Sequence, residues 1–165
     1  KNEERVTNEY FSGIPDMYKG PSIKKAKIVR DAKSCWNALS FLENEIAELK
    51  KIYYWQGQTY CDLTGAKSFS IDFTLISAPF QILEEEKRKL MWKMGVATNE
   101  NPLYLEKAAE LEFNLVFEDI SPQERLISVK GERNDKDIKR AKATVIKARE
   151  WLAEFDEMRM SRYKK

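Results

Sequence analysis

Apolar positions step by three and four through residues 22–51: Val29, Ala32, Trp36, Leu39, Leu42, Ile46 and Leu49. That spacing predicts one long amphipathic helix, capped at Ser22 and reaching about residue 56. Lys24, Lys25, Lys27, Arg30, Lys33, Glu43, Glu45 and Glu48 mostly avoid the stripe. Further on the period changes to two. Phe69, Ile71, Phe73 and Leu75 alternate with polar residues, as do Leu111, Phe113, Leu115 and Phe117, and then Ile127 and Val129. Each run predicts a half-buried strand. Between them Pro79 opens a helix that Gly95 stops, and Asn101-Pro102 opens a shorter one to about Glu110. Asn134 caps a final helix, whose inner row is Ile138, Ala141, Val145, Ala148, Leu152 and Phe155.

The expected fold class is therefore α+β. A three-stranded antiparallel sheet carries helices on one face in the order β-α-α-β-β-α, preceded by the long helix. The expected organisation is an irregular segment at 1–21, the helix at 22–56, an α+β domain at 67–158 and a fraying basic tail at 159–165. The first segment holds Gly13, Pro15, Gly20 and Pro21. With Tyr10, Phe11, Ile14, Met17 and Tyr18 it is too apolar for a plain linker and is expected to lie against its own domain or a partner.

Composition narrows the chemistry. The 165 residues are 42% apolar and 34% charged, enough for a packed core. Lys+Arg number 29 and Asp+Glu 27, so the chain is not a polybasic coat. No apolar run approaches the roughly 18–20 residues that cross a bilayer, so no membrane partner is expected, and the start carries no signal-peptide pattern. There is no histidine, which excludes imidazole bases and zinc sites that need imidazole. Cys35 and Cys61 form no CxxC pair; one disulfide between them is an open alternative, and the expected state is two reduced thiols of an intracellular compartment. The six glycines form no phosphate-cradling loop. No cofactor is expected, and no catalytic or metal residue is assigned.

The element order resembles that of the type I KH domain, a module that binds RNA and single-stranded DNA. The resemblance covers 67–155 loosely and 125–146 more closely. There Arg125-Leu126-Ile127-Ser128-Val129-Lys130-Gly131 closes a strand on glycine, and Ile138, Ala141 and Val145 line the following helix. The family's GxxG loop has no counterpart: the link Gly95–Asn101 holds one glycine and no basic residue. The resemblance thus implies a degenerate copy serving as a protein-binding surface.

Three readings follow. The first is a non-catalytic interaction module, not an enzyme, whose partner is a protein in a larger assembly such as a ribonucleoprotein. Its partner-binding candidates are Tyr10, Phe11, Tyr53, Tyr54 and Trp55. The second is an RNA- or single-strand-binding domain using Arg133, Lys136, Lys139, Arg140, Lys142 and Lys147. These lie in the stretch 120–165, where thirteen basic residues face eight acidic ones. The third, ranked last, is a metal-dependent phosphodiesterase built on Asp72, Glu112 and Glu118. No lysine stands in the E-x-K spacing beside Glu112.

Overall fold

The computed structural model describes residues 2–46 and 48–162. The architecture is α+β, as the alternation of periods requires. Strands β1 (Val6–Thr7) and β2 (Ser12–Gly13) form an antiparallel pair. Strands β3 (Met17–Lys19), β4 (Ile28–Cys35), β5 (Ser68–Leu75) and β6 (Leu126–Glu132) form a four-stranded sheet in that order. The helices are α1 (Ala38–Ile46), α2 (Lys51–Thr64), α3 (Phe80–Met94), α4 (Pro102–Leu115) and α5 (Asp135–Arg162).

The sheet is mixed. Strand β3 pairs antiparallel with β4, Met17 opposite Arg30. Lys67 N donates to Lys27 O at 3.1 Å and Ile76 N to Cys35 O at 2.9 Å. Those partners advance together, so β5 runs parallel to β4. Leu75 N donates to Arg125 O and Arg133 N to Lys67 O, both at 2.9 Å. These partners advance in opposite senses, so β6 is antiparallel to β5.

The chain divides into two compact units. The first comprises residues 1–31, 50–70 and 130–165. Its core is Val6, Ile23, Val29, Cys61, Leu63, Phe69 and Ile138. Phe69 sits where two backbones approach it: a Cβ on either Gly57 of α2 or Gly131 of β6 would overlap its ring. Only glycine fits there. The second unit comprises residues 32–49 and 71–129 and buries Phe41, Ile71, Phe73, Leu75, Leu83, Tyr104 and Phe117.

Several expected elements differ. Residues 22–51 are not one helix. They form a short 3-10 turn at Ile23–Lys25, then β4, then α1. The three-and-four stepping arises because apolar residues of a strand and of a following helix happen to fall in phase. Ile28 and Val29 favour extended backbone. The row Val29, Asp31, Lys33 and Cys35 is the more buried one of β4, and its two charged members erase the alternation that would mark a strand. The expected strand at 111–117 is helical to Leu115, the continuation of α4. Leu, Glu, Lys and Ala fill the turns after Pro102 with good helix formers, and Phe113 is left 80% exposed. The sheet thus takes β3 and β4 from a region read as a lead-in and a helix. Helix α5 continues through Arg159 to Arg162, and residues 163–165 of the expected tail lie outside the described residues.

Candidate active site

The ladder between β3 and β4 organises the polar centre of the first unit. Its pairs run Lys19 with Ile28, Tyr18 with Val29 and Met17 with Arg30. Asp16 stands in the bend immediately before β3, and Asp31 follows Arg30, the last paired residue of β4. Asp31 shares its strand row with the fully buried Val29. Asp31 is 4% exposed and Asp16 half-buried.

A carboxylate in such a place is costly unless it is hydrogen-bonded. Helix α2 supplies a partner: Gln56 Nε2 donates to Asp31 Oδ1 at 3.0 Å. The same nitrogen lies 3.0 Å from the hydroxyl of Tyr60, one turn further along α2. The Tyr60 hydroxyl in turn donates to Ile14 O at 3.3 Å. Ile14 precedes the buried Pro15 and then Asp16. One chain of hydrogen bonds therefore connects the segment before Asp16 with the Asp31 carboxylate. Lys33 follows Asp31 by two residues on β4 and shares its strand row.

The sequence-derived metal trio is not assembled. Asp72 is buried on β5 and accepts from Ser128 Oγ at 2.8 Å. Glu112 lies on α4, 3.4 Å from Lys87 Nζ, and Glu118 is exposed in the turn beyond it. Residue 112 stands on a helix rather than a strand, so the shared sheet face does not exist. Among the described residues no cluster of three or more acidic, cysteine or histidine side chains could hold a metal.

The six proposed nucleic-acid cations separate into two groups. Arg133 donates to Cys61 O at 2.8 Å and to Asp135 at 2.7 Å. Lys142 pairs with Asp62 at 2.8 Å. Lys136, Lys139, Arg140 and Lys147 are exposed on α5. Of the five proposed partner-binding rings, all are half-buried in the first unit. Tyr10 lies against Phe11 and under Lys142, and Trp55 lies under the Arg140 guanidinium at 5.2 Å. Tyr53 belongs to the same helix, α2. Tyr54 donates to Asp137 at 2.7 Å. That bond to a carboxylate, then burial, raises the Tyr54 pKa. Burial likewise pushes the Cys61 thiol up to about 11.

Charge is unequally divided. The first unit's residues include 22 Lys and Arg against 13 Asp and Glu, and the second unit's 7 against 14. The near-neutral whole conceals a unit of net +9 and one of net −7.

No protein-family model matches the chain, and no curated protein is similar to it. Among solved structures it is similar to the crystal structure of a phage-related exonuclease from Haemophilus somnus 129PT. The TM-score is 0.67 at 24% identity, over 96% of this chain and 61% of that one. The chain thus spans about three-fifths of the length of that exonuclease. At this identity the likeness is one of fold. It overturns the expectation of a non-catalytic, KH-like interaction module and, with it, the expectation that the chain is not an enzyme: the fold is one that an exonuclease carries. The expected order β-α-α-β-β-α lacks its second strand, because residues 111–115 continue helix α4.

Sequence reading missed Asp16, Asp31, Lys33 and Gln56. A signal was present. The acid-x-lysine spacing sought beside Glu112 stands at Asp31-Ala32-Lys33, within a stretch assigned to a helix.

Proposed function

We propose that this chain hydrolyses phosphodiester bonds in nucleic acid, with Asp16, Asp31 and Lys33 as its reacting set. The observation that carries the proposal is the buried Asp31 carboxylate on the inward row of β4, held by Gln56, with Asp16 immediately before the strand that pairs with β4. The unit's charge of +9 suits a polyanionic substrate. The fold likeness to a phage-related exonuclease supports the same chemistry.

The donor set fits a hard divalent cation. Mg²⁺ commonly takes one or two carboxylates and completes its shell with water and substrate phosphate. Asp16 and Asp31 would hold it, and when bound it supplies charge neutralisation at the phosphate and a more acidic water. The remaining work falls to the chain. Gln56 fixes the Asp31 carboxylate through its amide N–H. Tyr60 anchors Gln56 to the backbone at Ile14 and so couples the orientation of the two acids. Lys33 brings a positive charge and a proton donor to the row of Asp31, where negative charge develops on the phosphate oxygens.

The test is hydrolysis of end-labelled linear DNA with Mg²⁺ or Mn²⁺, beside a covalently closed circle and an EDTA control. The proposal expects release of nucleotides from linear DNA, abolished by EDTA and by Lys33→Met, with the circle resistant. No hydrolysis with either metal, or hydrolysis indifferent to EDTA, would overturn it.

A further inference from the structure

Helix α5 extends over 28 residues. At 100° per residue, Lys136, Lys139, Arg140 and Lys147 fall on one face within about a third of a turn. Ile138, Ala141 and Val145 occupy the opposite face, with Ile138 buried and the other two half-buried. The cations therefore line a solvent-facing ridge about 16 Å long.

The acids of the helix's first turn do not neutralise that ridge. Asp135 is bonded to Arg133 at 2.7 Å. Asp137 accepts from Tyr54 at 2.7 Å and from Asn134 at 3.1 Å. Lys142, off the ridge, is held by Asp62. The next acid on the ridge is Glu150, after Lys147. Arg140 is steadied over the Trp55 ring, 5.2 Å from its centroid, which lowers the entropy lost when it meets an anion.

We infer that this ridge is a sequence-independent grip for the phosphate backbone of the nucleic-acid substrate. The inference rests on the nuclease reading and assigns the surface that holds the strand. Exposed cations on a single helix face suit phosphate contacts, which position a strand without reading its sequence. Each contact releases about 0.9 of a counterion from duplex DNA.

The test is the salt dependence of DNA binding, measured by fluorescence anisotropy in EDTA on a labelled 20-base-pair duplex. The variant is Lys136→Gln/Lys139→Gln/Lys147→Gln, since Gln matches Lys in helix propensity. A control removes three exposed second-unit lysines, Lys89, Lys93 and Lys107. The slope of log K against log salt should fall by about 2.7 in the ridge variant and stay unchanged in the control. The loss of affinity should be equal on two unrelated sequences, and KM for cleavage should rise while kcat holds. Equal slopes in the ridge variant and the unaltered chain would overturn the inference, as would equal losses in both variants. Cleavage with an unaltered slope removes the ridge and leaves the nuclease reading standing. A reduced slope without cleavage by any form removes the nuclease reading and leaves the ridge.

Discussion

Replacing Asp31 with Asn separates stability from function at the proposed site. The substitution keeps the side-chain volume and the oxygen that accepts the Gln56 N–H. Packing around a position only 4% exposed is therefore preserved. What disappears is a charge taken out of water. That charge carries a desolvation penalty of several kcal/mol, offset by hydrogen bonds worth about 1.5–3 kcal/mol each. The expected net effect on stability lies between zero and about 1 kcal/mol of gain, or a rise in Tm of up to about 4 °C. Activity should move the other way. A charged group positioned for the transition state contributes about 3–4 kcal/mol, so the rate should fall by at least 10²-fold. The assay pairs calorimetric melting with single-turnover hydrolysis of end-labelled DNA. A variant that melts several degrees lower would mean that Asp31 is a structural anchor. A variant that retains activity within threefold would refute its place in the reacting set.

Two further outcomes test the packing around that site. Gly131→Ala should cost about 1–3 kcal/mol by overpacking against Phe69, read as a lowered denaturation midpoint with an unchanged m-value; no loss of stability would show that the β6 backbone is not pressed on the ring. Cys61 should resist alkylation at pH 8 while half-exposed Cys35 reacts, since burial holds the Cys61 thiol neutral up to about pH 11. Its folded pKa lies above the unfolded value of about 8.5. This contribution to stability is complete below about pH 8.5 and declines as pH rises toward 11, because the unfolded chain loses its proton first. A Tm flat across that window would count against it.

The elements legible in the sequence were those whose inner rows are apolar throughout. Phe69, Ile71, Phe73 and Leu75 marked β5, the Pro79 and Gly95 boundaries framed α3, and Asn101-Pro102 announced the start of α4. Asn101 acts as that cap, its Oδ1 accepting from Leu103 N and Tyr104 N. The α+β class followed from these. Strand β4 was not legible, because the inward row that defines it carries Asp31 and Lys33. The same two residues are the proposed reacting groups, so the chemistry of the site hid the strand that bears it. Asp16 was hidden differently. It stands in a Gly- and Pro-punctuated segment whose short strands are fixed by long-range pairing, Met17 with Arg30, and by Asn2 N bonding to Asp16 O at 2.6 Å. Local pattern does not encode such contacts. At 111–117 the alternation of Leu111, Phe113 and Leu115 was real but incidental, since helix α4 leaves Phe113 in solvent.

Titration of Mn²⁺ into the metal-free protein, without nucleic acid and followed by calorimetry, asks whether Asp16 and Asp31 hold a metal. Saturable binding to the unaltered chain is expected, lost or weakened at least tenfold in both Asp16→Asn and Asp31→Asn, and retained when Glu112 is changed to Gln. Binding to both Asn variants that matches the unaltered chain, or no binding to any form, would contradict that expectation.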